Sequence, residues 1–144
     1  FDHILVPIGG GGLIAGSALA IKYFGNNCTV IGTEPFEVDD AYRSLISGKI
    51  ETNTSTNTIA DGLRTQLGDK NFPIILNEVK KIIRITEDEI IDSMKLIWQR
   101  LKIICEPSCS LPLAGILKNK NDFKGKKIGV VITGGNIDLS NLPF

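Results

Sequence analysis

The sequence predicts an α/β fold of three layers, in which helices cover both faces of a mostly parallel sheet. Two observations support this prediction. Short runs such as Ile4–Ile8 and Ile128–Ile132 are apolar without polar alternation, which is typical of strands buried on both faces. Segments of helical periodicity separate these runs, so strands and helices alternate along the chain. Strands joined through a helix pair in parallel, and the helices pack on the two faces.

Local signals mark the ends of the individual elements. The first helix follows four glycines and stops at Gly25, and the second stops at Gly48, because glycine tolerates the left-handed conformation that ends many helices. The clearest helix begins behind the capping box Thr86–Glu89 and repeats apolar residues at i, i+3, i+4 and i+7. The predicted strands are Ile4–Ile8, Cys28–Thr33, Ile82–Ile85 and Ile128–Ile132. The predicted helices are Leu13–Phe24, Asp39–Ser47, Ile74–Lys80, Ile90–Ile104 and Ser108–Lys118.

Composition argues against several classes of partner and location. The chain has 16 basic and 16 acidic side chains, so no field of one sign attracts nucleic acid or an anionic membrane surface. No apolar run reaches membrane-spanning length and the first residues lack a basic leader, so neither a membrane span nor a secretory signal is expected. Three cysteines, an odd number, argue against a disulfide framework and favour a reducing compartment, hence the cytoplasm.

The length of 144 residues is that of one domain, residues 1–144, with enough chain to bury a core. The start at Phe1, without an initiator methionine, is interpreted as an excision from a longer chain. The expected organisation is therefore a single domain that forms part of a larger protein.

Four consecutive glycines, Gly9–Gly12, stand between the first strand and the first helix. Without Cβ atoms their backbone N–H groups are accessible, and the positive end of the helix dipole adds to them, so this loop is predicted to bind a phosphate group. A tight glycine-rich turn without a ligand is the alternative. The pattern Gly10-x-Gly12-x-x-Ala15, with Glu34 at the end of the next strand, also leaves open a dinucleotide, whose ribose that acid would bind.

Five short segments follow one another along the chain: Val6–Leu13, Thr33–Pro35, Thr58–Gly62, Glu106–Ser108 and Thr133–Leu139. In this order they resemble the C-terminal half of the serine and threonine dehydratases and serine racemases, a family of pyridoxal-phosphate enzymes. Each segment alone is a weak signal, but their shared order is specific, and the resemblance covers essentially the whole chain. It implies the tryptophan-synthase-β-like fold, with this chain as the larger part of the large domain, and an N-terminal half that this sequence lacks.

The resemblance implies that pyridoxal 5′-phosphate is the cofactor and that this chain contains the part of the site that binds its phosphate. In the family the glycine loop cradles the phosphate, and a Ser or Thr hydroxyl contacts the pyridine nitrogen. A neutral hydroxyl leaves that nitrogen largely unprotonated, which favours loss of a β-substituent over transamination. The cofactor-binding residues implied here are Gly9, Gly10, Gly11, Gly12, Leu13 and Thr133.

The resemblance also implies a divalent cation, Mg²⁺ or Ca²⁺, near the end of the second strand. Its ligands would be the carboxylates of Glu34 and Asp40 and the carbonyl oxygen of Val38, since hard cations prefer oxygen. The alternative is a solvated acidic turn before a helix, with Asp39 as the N-cap. Such a cation would be structural or regulatory.

Two departures from the family pattern are apparent. The family's Schiff-base lysine lies in a Ser-x-Lys-x-Arg-Gly motif of the N-terminal half, and no lysine here has that context, so we assign no catalytic residue and expect the chain to be inactive alone. Glu106–Ser108 is followed by Cys109 and Ser110 where the family usually has Gly-Ala, so packing behind the cofactor should differ. Cys105, one helical turn before Cys109, is interpreted as apolar filling and not as a metal ligand.

For the intact enzyme the resemblance implies an L-threonine or L-serine ammonia-lyase that eliminates the β-hydroxyl group and yields a 2-oxo acid and ammonia. The alternative within the same family is a serine racemase. The alternatives from a different class of protein are a dinucleotide-binding module and a non-catalytic binding fragment. The end at Phe144 leaves no room for a regulatory domain. Arg100 and Asn136 fall where racemase-type members contact an activating nucleotide. The other expected partners are the amino-acid substrate, the N-terminal half and further copies in a homo-oligomer.

Overall fold

The computed structural model of the protein describes all 144 residues. None of its helices is both long enough and apolar enough to cross a lipid bilayer. The strands are β1 (His3–Pro7), β2 (Thr29–Pro35), β3 (Val79–Ile85) and β4 (Ile128–Val130). The helices are α1 (Gly12–Phe24), α2 (Asp40–Ser47), α3 (Phe72–Glu78), α4 (Glu87–Leu101), α5 (Pro107–Lys118) and α6 (Lys120–Phe123), with a 3₁₀ turn at Asp61–Leu63.

The four strands form one parallel sheet in the order β3-β2-β1-β4. His3 of β1 lies opposite Thr29 of β2 on one side and Ile128 of β4 on the other. Because all strands run in the same direction, the carboxyl ends of β1 and β4 are adjacent. The loops that follow these two strands therefore start at the same edge of the sheet.

Side chains from alternate positions of the strands enter two separate cores. Val6 and Ile8 face one core, which they share with Ile14 of α1 and Ile75 of α3. The opposite face carries a second core, which α4 and α5 cover; its strand residues are Leu5, Ile31, Ile83 and Ile85. The predicted α/β fold with three layers and a parallel sheet is thus confirmed.

Several predicted boundaries were wrong. Helix α4 ends at Leu101 and not at Ile104, because Lys102 adopts the left-handed conformation (φ 58°) and leaves Ile104 54% exposed. Val79 and Lys80, predicted as the end of a helix, instead begin β3. The last strand is shorter than predicted, since regular pairing of β4 stops at Val130.

The predicted capping box at the start of α4 is present. The Thr86 hydroxyl accepts from the Glu89 N–H at 3.4 Å, and the Glu89 carboxylate accepts from the Thr86 N–H at 2.9 Å. Lys118 of α5 also lies 2.9 Å from this carboxylate. Burial raises the pKa of the Glu89 carboxyl, but the Thr86 N–H and the Lys118 ammonium outweigh burial, so its pKa lies below the ordinary value. Folding therefore favours the ionised form of Glu89.

We expect Glu89→Gln to lower the free energy of unfolding at pH 7 by about 1 kcal/mol, because one capping interaction and one partly exposed ion pair are weakened. Because the pKa of the Glu89 carboxyl is lower in the folded chain, its ionised form stabilises the fold at pH values above the ordinary pKa of 4.5. This stabilisation is lost as the pH falls through the folded-state pKa. The difference between the variant and the original chain should therefore shrink below pH 4.5, as measured by urea unfolding. Asp92→Asn, which changes an exposed acid of the same helix, is the control; equal effects of the two variants would contradict this account.

Candidate functional site

The glycine loop connects the end of β1 to the start of α1. Gly11 is the N-cap of α1 and has a φ of 83°, in the left-handed region where a Cβ atom is strained. A Cβ atom on Gly11 would also lie 2.6 Å from Leu67 Cδ1 and 2.9 Å from Ile75 Cδ1. Both the conformation and the packing therefore require glycine at this position.

The backbone amides of the glycine loop have no acceptor within the protein. Immediately before the loop, the Ile8 N–H donates to the Thr33 carbonyl at 2.9 Å, and after it the Ala15 N–H donates to the Gly11 carbonyl at 3.0 Å. Between these two bonds, none of the N–H groups of residues 9–13 donates to a protein atom. Consecutive free amides at a helix N-terminus are a suitable site for an anion such as phosphate.

The glycine loop and Thr133 line the same hollow, which has a volume of about 220 Å³. Thr133 reaches it because it follows β4, the neighbour of β1 in the sheet. All six residues that the sequence predicts as cofactor ligands are thus brought together. The full lining is Pro7, Gly9, Gly10, Gly11, Gly12, Leu13, Gly62, Leu63, Glu106, Ser108 and Thr133. Free amides suited to an anion and a hydroxyl-bearing residue thus line one hollow, a combination that fits a phosphate ester with a further polar group.

The hollow has further walls that the predicted ligand set did not include. The Ser108 hydroxyl accepts from the Gly62 N–H at 3.1 Å, which joins the start of α5 to the 3₁₀ turn. The Glu106 carboxylate accepts from the Asn136 N–H at 2.9 Å. The backbone N–H of Glu106 donates to the Gly134 carbonyl at 3.1 Å. The signal for these residues was present in the sequence, because they belong to segments that carry the family resemblance.

Cys109, which departs from the family pattern, is fully buried beside the hollow. Its thiol donates to the carbonyl oxygens of Glu106 and Gly134, at 3.2 and 3.0 Å. Cys105 is also fully buried and belongs with Cys109 and Met94 to a small apolar cluster under α4. Cys109 therefore helps to hold the loop that carries Thr133, whereas Cys105 packs as the apolar filling that the sequence predicts.

The two carboxylates that were predicted to bind a cation accept hydrogen bonds from protein N–H groups instead. The Glu34 carboxylate accepts from the N–H groups of Ala41 and Tyr42 at 3.0 and 2.9 Å, at the start of α2. The Asp40 carboxylate accepts from the Leu67 N–H and from Asn53 Nδ2, both at 2.6 Å. No group of three or more His, Cys, Asp or Glu side chains suitable for a metal ion is present in the chain. Although Val38 lies buried in the same region, the structure does not support a cation there.

The position of Glu34 also bears on the dinucleotide alternative. Glu34 is 1% exposed and does not line the hollow at the glycine loop. Burial raises the pKa of its carboxyl well above the usual range, although the N–H groups of Tyr42 and Ala41 oppose this rise. A ribose-binding acid must reach the ligand, so Glu34 is unsuited to that role.

The residues predicted to contact a nucleotide effector are not brought together at one hollow. Asn136 lines a second, larger hollow of about 510 Å³, together with Asp61, Arg64 and Asp138. Arg100, in the last turn of α4, is not part of that lining. A nucleotide contact by this pair stays a prediction.

A family model described as pyridoxal-phosphate dependent enzyme matches residues 1–134 of the chain. The chain belongs to this family. The β-hydroxyaspartate dehydratase of Paracoccus denitrificans is 46% identical over 143 residues, which cover 99% of this chain and 45% of the relative. The serine racemase of Dictyostelium discoideum is 48% identical over 147 residues, which cover 98% of this chain and 45% of the relative. The chain thus spans about half the length of the curated relatives that it matches.

Solved structures of pyridoxal-phosphate dependent enzymes confirm the fold. The crystal structure of the Dictyostelium serine racemase matches with a TM-score of 0.90 at 48% identity, over 96% of this chain and 45% of that one. The crystal structure of a threonine deaminase from T.th. matches with a TM-score of 0.92 at 37% identity, over 97% of this chain and 52% of that one. The predicted tryptophan-synthase-β-like fold and the resemblance to dehydratases and racemases are both confirmed.

Proposed function

We propose that this chain forms the cofactor-phosphate part of a pyridoxal-phosphate-dependent ammonia-lyase, which eliminates the β-hydroxyl group of L-threonine or L-serine to give a 2-oxo acid and ammonia. One observation carries most of the proposal: residues 9–13, whose amides have no protein acceptor, and Thr133 line the same hollow. The left-handed conformation of Gly11, which residues with a Cβ atom seldom adopt, supports a loop that a ligand can approach closely.

The names of the relatives support the substrate class. They refer to serine, threonine and hydroxyaspartate, and each of these amino acids has a hydroxyl group on its β-carbon. We therefore propose a β-hydroxy amino acid as the substrate. Serine racemase is the alternative activity, and the 48% identity to the Dictyostelium enzyme supports it.

Each part of the hollow has a proposed role. The N–H groups of Gly9 to Leu13, together with the positive end of the α1 dipole, would bind the phosphate of the cofactor. The Thr133 hydroxyl would contact the pyridine nitrogen without protonating it. When bound, the cofactor supplies a conjugated ring that withdraws electrons from the α-carbon of the amino acid. Ser108 would keep the wall beside the ring in place through its bond to Gly62.

The proton transfers require groups that we do not find among these residues. No lysine lines the hollow. The relatives are about twice as long as this chain. We therefore propose that the Schiff-base lysine and the substrate contacts come from a polypeptide that corresponds to the part of the relatives that this chain does not cover. On this proposal the chain binds the cofactor's phosphate but does not turn over substrate by itself.

Thermal unfolding in the presence of single ligands tests the binding proposal. We expect pyridoxal 5′-phosphate at about 100 times its dissociation constant to stabilise the chain by about 2.7 kcal/mol, which raises the midpoint by several degrees. Pyridoxal, which lacks the phosphate, should have little effect, and NAD should have none. A rise with NAD but not with pyridoxal 5′-phosphate would contradict the proposal and favour the dinucleotide alternative.

The activity is tested on the chain together with the proposed upstream half of its own protein, with L-serine and L-threonine as substrates. Formation of 2-oxo acid and ammonia is the expected result. D-serine as the main product would favour the racemase alternative. Activity of the chain alone would contradict the proposed division of roles.

Replacement of Thr133 tests the proposed contact with the ring. We expect Thr133→Val to weaken binding of pyridoxal 5′-phosphate about three- to tenfold, because one hydrogen bond is lost and the shape is kept. Binding of inorganic phosphate should not change, since phosphate contacts only the glycine loop. Thr133→Ser, which keeps the hydroxyl, is the control; a titration in which Thr133→Val and Thr133→Ser bind the cofactor equally would contradict the assignment.

A further inference from the structure

The carbonyl group of Gly10 is held on the outer side of the glycine loop by two donors. The Asn71 side-chain amide donates to it at 2.7 Å, and the Gly68 N–H donates to it at 3.1 Å. Both donors belong to the segment before α3, and neither lines the hollow. Two converging hydrogen bonds on one carbonyl fix the direction in which it points.

The direction of this carbonyl determines the direction of the next amide. The chain has no cis peptide bonds, and in a trans peptide the N–H group points opposite to the preceding C=O group. Because the Gly10 carbonyl points toward Asn71, the Gly11 N–H points away from that segment. Gly11 lines the hollow and its N–H has no protein acceptor, so this amide is available on the ligand side.

The segment that supplies the donors is itself anchored. The Asn71 and Phe72 N–H groups both donate to the Gly68 carbonyl, at 3.1 Å each, which closes a turn at the start of α3. The Asp40 carboxylate, 1% exposed, accepts from the Leu67 N–H at 2.6 Å and so attaches the same segment to α2. The Asn71 amide is therefore presented to Gly10 from a fixed position.

We infer that Asn71 is a positioning residue, which orients the Gly10–Gly11 peptide so that the Gly11 N–H binds the phosphate. Asn71 does not touch the ligand; it acts through the glycine loop. This inference rests on the proposed function, since it assumes that the loop binds phosphate. Glycine at positions 10 and 11 leaves this peptide free to rotate, so an external donor is required to select one orientation before the ligand arrives.

The test uses the full chain with inorganic phosphate as the probe. Asn71→Ala removes the donor, and Asn71→Leu removes it while keeping roughly the size of the side chain and adding no charge. We expect both to weaken phosphate binding about tenfold, as for the loss of one hydrogen bond to a charged group. A role in packing alone would leave Asn71→Leu close to the original chain. The ¹H–¹⁵N spectrum gives a second readout, in which the Gly11 amide should shift on phosphate addition in the original chain and lose most of that shift in both variants.

Asn77 provides matched controls, because its side-chain amide also donates to a carbonyl, that of Pro73 at 2.8 Å, on an exposed part of α3. Asn77→Ala and Asn77→Leu should bind phosphate like the original chain. If Asn71→Ala does not fold, phosphate binding by Asn71→Leu and the shift of the Gly11 amide signal decide the test. If the original chain binds phosphate and the Asn71 variants bind it equally well, the inference is wrong while the proposed function stands. If the original chain binds neither phosphate nor pyridoxal 5′-phosphate, both are wrong.

Discussion

Gly11→Ala is expected to lower the free energy of unfolding by about 3 kcal/mol, the sum of a left-handed backbone strain of about 1 to 2 kcal/mol and overpacking of about 1 to 3 kcal/mol. The overpacking arises because the new Cβ atom would lie 2.6 Å from Leu67 Cδ1 and 2.9 Å from Ile75 Cδ1. Relief of this crowding moves the loop, so binding of pyridoxal 5′-phosphate should fall by at least a hundredfold. Urea unfolding and a cofactor titration measure the two effects.

Gly48→Ala separates backbone strain from crowding. Gly48 also has a positive φ, of 73°, but a Cβ atom there would meet no atom within 4 Å. We expect Gly48→Ala to cost about 1 kcal/mol and to leave cofactor binding unchanged. A Gly11→Ala variant that is no less stable than Gly48→Ala, or that binds the cofactor normally, would show that the loop has more room than its contacts indicate.

Glu34→Ala is expected to lower the free energy of unfolding by about 3 kcal/mol, because the buried Ala41 N–H and the half-buried Tyr42 N–H lose their acceptor. The carboxylate holds the start of α2 against the end of β2, so the loss should appear without any added metal ion. Urea unfolding in a chelating buffer is the measurement. Glu37→Ala, which removes an exposed acid three residues away, should change stability by less than about 0.5 kcal/mol.

The same variants decide the question of the cation. With Glu34 occupied by main-chain amides, millimolar Mg²⁺ or Ca²⁺ should not change the thermal midpoint of the original chain. A rise in the midpoint that disappears in Glu34→Ala but persists in Glu37→Ala would restore the cation that the family resemblance implied. The Glu34 carboxylate would then have to leave the Ala41 and Tyr42 N–H groups when the metal ion binds.

The parts of the fold that follow from sequence pattern were predicted well. The buried runs around Leu5 and Ile31 became strands, and the glycine loop lies between strand and helix, because both depend on local periodicity and on residue type. The end of α4 was mispredicted for a physical reason. Leu101 and Ile104 continue the apolar spacing of the helix, but both are exposed, so no core contact extends the helix past Lys102. Apolar spacing predicts a helix only where a packing partner exists.

The candidate site was predictable only where its residues carry a motif. Gly9 to Leu13 and Thr133 stand in the segments that resemble the family, and the order of the strands then brings them together. Asn71 was missed because it lies in an aperiodic segment, and its contact with Gly10 spans 61 positions of the chain. Glu34 was assigned to a cation because sequence alone does not show which donors its carboxylate meets.

The double attachment of the Gly10 carbonyl has a kinetic consequence. Since Asn71 and Gly68 fix that peptide in the free protein, the wall of the hollow needs no rearrangement when a ligand enters. In stopped-flow mixing, the observed association rate should rise in proportion to the ligand concentration without reaching a plateau, which is the behaviour of a single-step encounter with a preformed receptor. Asn71→Ala should lower the slope of this line, because loop motions are faster than the mixing and only the fraction of molecules with the competent peptide orientation captures the ligand.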